Sequence, residues 1–296
     1  MRIATSQYSH TMNTALQSAN AGLTKAMSQM ASGSRILKPS DDTLATVRLA
    51  RLSREESALS QYRSNITALT TRLQNNETTL DSMQQSLLLV RDLMVWGANG
   101  ASTPDDVQAM ATSLESLRDS IFYGANTRNA EGQYIFSGTG SGVPTLTQTG
   151  TTYAFGAGVD SQAQHVAVGD GVTVAANVTL RDYDLPGYLN GLQAAIDAFR
   201  DGSYTSATAN AQIDTADGLI NFLSAQIAQQ GGRQNVINTL DNNHAAVSQS
   251  NQEATLALGK VDYAEAAIRL SSYELAVQAT QKAYARVSNL SLFDVL

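Results

Sequence analysis

Between Ser40 and Trp96 the chain has neither glycine nor proline, and Leu52, Leu59, Ile66, Leu73, Leu80, Leu87 and Met94 recur there at every seventh position. Tyr62, Leu69, Met83 and Val90 fill companion positions of the same frame. A 3.5-residue repeat held this long keeps one apolar seam turned toward a partner helix. It therefore predicts a coiled-coil helix about 80 Å long, at ~1.5 Å per residue. Such a helix needs a partner of similar length. The stretch from Thr205 to Leu256 supplies one, with Ile213, Ile220 and Ile227 repeating at seven and Ala216, Leu223 and Ile237 in the companion register. Gly231-Gly232 predicts a local interruption, since each glycine costs about 1 kcal/mol against alanine inside a helix.

Punctuation sets the boundaries. Pro39-Ser40-Asp41-Asp42 predicts an N-cap at Ser40 with carboxylates in the first turn, and Gly97 and Gly100 are expected to close the helix. Thr103 should cap the next helix, with Pro104 at its first position, Asp105 and Asp106 behind it, and Leu114, Leu117 and Ile121 on one face. From Tyr134 to Tyr183 the texture turns to Gly, Thr and Val, and Gly169-Asp170-Gly171 between alternating runs reads as a hairpin turn. This segment is expected to be a small satellite on the outer surface that adds little to the helical seam. Helical texture returns after Pro186.

The two ends carry thinner seams. Leu16, Leu23, Met30 and Leu37 repeat at seven beside Met12, Ala19 and Ala26. Tyr263, Leu270, Val277 and Tyr284 do the same beside Ala266, Tyr273, Thr280 and Val287. Being of matching length, the ends should pair with each other. The fold expected is mainly α with a small β insertion: a long antiparallel coiled-coil bundle with paired N- and C-terminal helices and an outward β domain. Its parts are a terminal coiled coil (1–38 and 260–296), a long-helix bundle (39–133 and 184–259) and an inserted β domain (134–183). Pattern alone leaves open whether the seams are the core of a free-standing bundle or a seam between subunits. The tail adds Leu290, Leu292, Phe293 and Leu296, apolar residues that two helices cannot all bury.

Composition narrows the function. A formal charge of -7 with no dense Lys/Arg run argues against binding nucleic acid or anionic lipid through charge. The absence of cysteine excludes disulfides and thiolate chemistry. The longest aliphatic run, Leu87 to Val90, is far short of the ~20 residues that span a bilayer, so no membrane insertion is expected. The opening MRIATSQYSHTMNTAL lacks the continuous apolar stretch of a cleaved signal. His10, His165 and His244 are scattered without ligand spacing. Asp41-Asp42 and Asp105-Asp106 follow helix starts, where the dipole explains them. Gly138 to Gly142 has no lysine after it and reads as a flexible junction, not a phosphate loop. The triplets Asn65-Ile66-Thr67 and Asn177-Val178-Thr179 match a glycosylation pattern common by chance. No catalytic, metal or cofactor constellation emerges.

Met1-Arg2-Ile3-Ala4-Thr5, then Gln29-Met30-Ala31-Ser32-Gly33-Ser34-Arg35-Ile36 running into Lys38-Pro39-Ser40-Asp41-Asp42, resembles the N-terminal region of the flagellin superfamily. Gly132-Gln133-Tyr134-Ile135-Phe136-Ser137-Gly138 is similar to the segment where the helices of its hook–filament junction branch give way to a β domain. The stretches from Val261 to Ala266 and from Leu290 to Asp294 look like the superfamily's C-terminal helix. The Gly231-Gly232 pair departs from the single glycine of that pattern. The resemblance implies a non-enzymatic, cofactor-free structural protein, extracellular on the bacterial flagellum. Its copies would form a homo-oligomeric ring between hook-associated protein 1 and the flagellin filament. It also implies export through the flagellar type III system without a cleaved signal, with a cytoplasmic export chaperone holding the tail. The terminal seams would then be assembly surfaces, and Leu290, Leu292, Phe293 and Leu296 the chaperone and assembly tail. One rival is a flagellin proper. A more distant one is a secreted enzyme or carbohydrate-binding module, for which residues 134–183 offer Tyr134, Phe136, Tyr153, Phe155 and Tyr183 but few acids.

Overall fold

A computed structural model describes residues 2–99 and 103–293, with side chains for residues 7–99 and 103–286. Six helices dominate: α1 (Arg2–Ser32), α2 (Thr43–Ala98), α3 (Pro104–Ala125), α4 (Leu185–Asp201), α5 (Ser206–Gly259) and α6 (Tyr263–Phe293). Four short strands lie between α3 and α4. β1 (Leu146–Thr149) pairs antiparallel with β2 (Thr152–Phe155), and β3 (His165–Gly169) pairs antiparallel with β4 (Val172–Ala175) across the expected Asp170-Gly171 turn. The chain divides into two compact units, Leu59–Ala245 and, separately, Met1–Ala58 with Ala246–Leu296.

Helix starts follow local chemistry. Asp42, not Ser40, caps α2: its Oδ1 accepts the Ala45 N–H at 2.9 Å, while Ser40 lies inside a single 3-10 turn, Pro39–Asp41. The carboxylate reaches the free N–H groups from two residues closer to the helix, which leaves room for that turn. Thr103 caps α3 as expected, in a reciprocal capping box with Asp106 and with Pro104 first in the helix. Helix α2 runs through Gly97 to Ala98. Helix α5 is unbroken at Gly231-Gly232. The expected interruption is absent because the flanking seam residues keep the two glycines within a packed helix, where burial outweighs propensity.

In the Leu59–Ala245 unit the heptads of α2 and α5 mesh. Ala216, Leu223, Gln230, Ile237 and His244 are buried at every seventh position of α5. The pairing is read directly at one end, where the Tyr62 and His244 rings stack with centroids 5.8 Å apart. Counting back in sevens sets Leu69 against Ile237, Met83 against Leu223 and Val90 against Ala216, and each of these pairs shares an apolar cluster. The same count sets Asn76 against Gln230. Both are fully buried, and Asn76 Nδ2 makes one long bond of 3.5 Å to the Ala176 carbonyl while Asn76 Oδ1 and both Gln230 amide atoms have no protein partner. This polar rung separates a larger core, to which α3 and α4 contribute Leu114, Ile121, Leu189 and Ile196, from a smaller one under the β3–β4 hairpin.

The β segment is no satellite. Phe136, Leu146 and Tyr153 belong to the larger core, and Val168, Val174 and Ala176 close the smaller one over Ile66, Leu73 and Ile237. A two-stranded ribbon cannot bury a face alone, so each hairpin uses the helices as its second layer. Polar ties fix it there: Asn65 Nδ2 donates to the Ala167 carbonyl at 2.8 Å, and His244 Nε2 lies 2.7 Å from the Val168 carbonyl. The Gly138–Gly142 stretch is likewise held, with the Thr139 N–H donating to Asp160 at 2.9 Å. Phe136→Ala should therefore cost about 3–5 kcal/mol and lower the melting temperature by about 10 °C. A calorimetric shift below about 2 °C would return the segment to satellite status.

Candidate assembly interface

Helices α1 and α6 lie side by side and antiparallel, joined to the long helices by two connectors. The Arg35 N–H donates to the Gly259 carbonyl at 2.7 Å, and the Val261 N–H to the Gly33 carbonyl at 3.0 Å. Gly33 makes this crossing possible with φ of 67°, a conformation unfavourable to side chains with a Cβ. The Arg35 guanidinium bonds the Leu258 carbonyl and pairs with Asp42 at 3.0 Å, and Lys25 pairs with Asp41 at 2.7 Å. None of these polar ties was legible from sequence beyond the helix-start carboxylates.

The packing between α1 and α6 is close because the residues are small. A Cβ on Gly22 would stand 2.6 Å from the Tyr273 ring, so the tyrosine fills what a larger residue would occupy. Around it Ala19, Ala26 and Ala266 are buried. Of the sequence-predicted residues, Leu16, Leu23, Met30, Leu270 and Val277 are half-buried in this seam, whereas Leu37 and Tyr284 are exposed. Tyr263 and Tyr284 turn outward because a straight helix drifts ~20° per heptad relative to a 3.5-residue repeat. The side chains of Val287, Leu290, Leu292 and Phe293, and Leu296 altogether, lie outside the described residues.

The core of this unit is thin. Its buried apolar side chains, among the described residues, are Ala19, Ala26, Ala45, Val261 and Ala266, none larger than valine. Meanwhile Met27, Ile268 and Leu275 are 57%, 68% and 69% exposed. Ile268 and Leu275 were missed in the sequence because they form a second phase of the same seven-residue repeat, on the outer side of α6. Charge is sparse on α1, where Lys25 is the one Lys, Arg, Asp or Glu between residues 7 and 32. The outward face of α1 can therefore be dehydrated at little electrostatic cost.

Among the described residues there is no group of three or more His, Cys, Asp or Glu placed to hold a metal ion, and no helix is long and apolar enough to cross a membrane. The perturbed carboxylates are structural. The Lys25 ammonium, with the backbone N–H groups of Lys38 and Leu37, brings Asp41 down to about 2. The Ala45 N–H and the Arg35 guanidinium lower Asp42.

The chain was compared with known proteins. The family model for the bacterial flagellin N-terminal helical region matches residues 3–141. Flagellar hook-associated protein 3 of Escherichia coli is 27% identical over 90% of this chain and 90% of its own. A solved structure from Vibrio parahaemolyticus, described as a flagellar hook-associated protein, is 34% identical with a TM-score of 0.69, covering 74% of this chain and 99% of that one. The flagellar junction protein from Legionella pneumophila shares the fold, with a TM-score of 0.54 at 13% identity over 71% of this chain and all of that one.

Both connector carboxylates have folded pKa values below their ordinary ones. Both add stability above about pH 4; the contribution of Asp41 is lost as pH falls toward about 2, and that of Asp42 is lost in the same direction. The protection factors of the Leu37, Lys38 and Ala45 amide protons, taken against intrinsic exchange at each pH, should fall as pH drops through that window. Protection unchanged down to about pH 2 would show that these bonds do not hold the connector.

Proposed function

We propose, since the chain belongs to the flagellar hook-associated protein 3 family of the flagellin superfamily, that it is a structural, non-catalytic subunit of the hook–filament junction of the bacterial flagellum. In this reading its copies form a ring seated between hook-associated protein 1 and the flagellin filament. The observation that carries it is the thin core of the terminal helix pair together with the exposed Ile268 and Leu275. Apolar surface left uncovered in one copy is what neighbouring subunits would cover. The division of labour in this proposal keeps the boundaries read from sequence: residues 1–38 and 260–296 assemble, residues 39–133 and 184–259 form the long-helix bundle, and residues 134–183 brace it. Leu16, Leu23, Met30, Leu270 and Val277 hold the helix pair together, while Leu37, Tyr284 and Val287 belong to the assembling surface.

Export as an unfolded chain through the flagellar type III channel belongs to the same proposal, with a cytoplasmic chaperone holding Leu290, Leu292, Phe293 and Leu296. A terminal helix pair whose described core holds nothing larger than valine gains little from folding early, which suits such a route.

Removing the gene should leave flagellin exported yet unable to assemble on the hook, and restoring the chain should return the filament. Normal filaments without it, or long filaments grown from the purified chain alone, would contradict the junction role; the second result would mark it as a filament subunit.

Ile268→Ser with Leu275→Ser separates assembly from folding. Both side chains are about two-thirds exposed, so the monomer's melting temperature should move by no more than about 2 °C while filament attachment is lost. A melting drop of several degrees, or attachment unchanged, would show that these residues do not serve assembly.

A further inference from the structure

Helices α1 and α6 each turn one side toward the other and leave the opposite side uncovered. On α1, Gly22 meets the Tyr273 ring and Ala26 is buried; Thr24, two residues from both, lies about half a turn away on the far side. There Asn20, Ala21, Thr24 and Ser28 of α1, with Leu37 of the connector, line a groove of about 470 Å³. Lys25 and Asp41, which also line it, pair with each other at 2.7 Å, and Lys38 is exposed beside them. On α6, Ala266 is buried and Tyr273 meets Gly22. Ile268 and Leu275, two residues past each of these, again lie about half a turn away, and they are 68% and 69% exposed. The residues that share their side, Ala264, Ser271, Ser272 and Ala279, carry no charge. Glu265 and Arg269, at its margin, pair with each other at 3.6 Å.

The groove and the apolar pair belong to the same compact unit, and they stand at the same height. Gly22 is opposite Tyr273, and in an antiparallel pair one number rises as the other falls. Leu275 is therefore level with Asn20, and Ile268 with Met27. The groove spans that same interval, Asn20 to Ser28. Lys282, a heptad after Leu275, is level with Asn13 and clear of it. In a ring whose axis runs along the helix pair, neighbouring copies differ by a rotation alone. The apolar pair of one copy then reaches the groove of the next with no sliding along the axis. The direction also fits: α6 of one copy meets α1 of its neighbour antiparallel, as it meets its own α1. The two faces point away from each other within one copy, so a contact between them requires two.

We propose that Ile268 and Leu275 of one copy seat in the groove between α1 and the connector of a second copy of this chain, at equal height. The contact is heterologous, one face against a different face, and repeated at constant height it closes into a ring. It rests on the ring reading above and gives that ring its neighbour contact. Burial of two large exposed side chains against Leu37 and the short side chains of α1 drives it, and it asks for no charge pair across the interface.

The chain contains no cysteine, which gives disulfide trapping a clean background. Thr24 and Ser271 are level with each other, lie on the two faces and are exposed, so circular dichroism should find Thr24→Cys and Ser271→Cys folded. The two variants are expressed together, each in its own copy, and isolated flagella are oxidised with copper phenanthroline. A dimer of twice the chain mass should appear with the mixture and be absent when either variant is used alone. Ala264→Cys or Gln278→Cys in place of Ser271→Cys moves the thiol about 10 Å along the helix and should give no dimer. A dimer with one of these and none with Ser271→Cys would overturn the equal-height contact. A dimer from Thr24→Cys alone would overturn it as well, by joining like faces. Normal filaments with no dimer from any pair, or a crosslink to a protein of different mass, would overturn the contact and leave the junction role standing. Absence of the unsubstituted chain from flagella would overturn the junction role and this contact with it.

Discussion

The register between α2 and α5 is the constraint on which the rest of the structure depends. With Tyr62 stacked on His244, every seventh residue thereafter finds its partner on the other helix: Leu69 with Ile237, Met83 with Leu223, Val90 with Ala216. A slip of one heptad would set the buried Asn76 against Leu223 or Ile237 and Gln230 against Leu69 or Met83. The rung therefore marks the observed register, in which the two buried polar groups share one layer, whereas a slip would put each into an apolar layer of its own. Its price is stability, since apolar residues of similar size at both positions would pack better. Once the register is set, the β3–β4 hairpin has a fixed floor in Ile66, Leu73 and Ile237, and α3 and α4 have theirs in Leu80, Leu87 and Leu219.

That register was largely written in the sequence, because a heptad repeat is a local pattern with one spatial meaning. The two long helices, the Thr103 cap and the Asp170-Gly171 turn are all legible from residues a few positions apart. Other features depend on contacts between distant segments. The place of Phe136 and Val168 in helical cores could not be read from spacing, since a short alternating strand looks alike on a satellite and on a bundle. Gly231-Gly232 misled for the opposite reason: local propensity favours a break, and packing on either side overrides it. The cap shifted by two residues, to Asp42, because Asp and Ser compete for that role and only the backbone path decides. The connector built by Gly33, Arg35 and Gly259 joins residues more than two hundred positions apart, beyond the reach of any local pattern.

The terminal pair shows what a seam of small residues does. Alanines and Gly22 let α1 and α6 approach closely, but they remove little apolar surface from water. In the Leu59–Ala245 unit leucine, methionine and phenylalanine fill the core and bury far more apolar surface per residue. The contrast leaves a well-filled core in the Leu59–Ala245 unit and exposed apolar residues, Ile268 and Leu275 among them, on the terminal helices, the surface that the proposed assembly would cover.

Hydrogen exchange on the dilute monomer tests this division most directly. The account predicts slow exchange from Ile66 to Met94 and from Ile213 to Ile237, and exchange faster by orders of magnitude along Leu16–Met30 and Leu270–Val277. Protection of Leu270–Val277 equal to that of the α2–α5 seam would contradict it, because the terminal helices would then be stabilised within one copy and would need no neighbour.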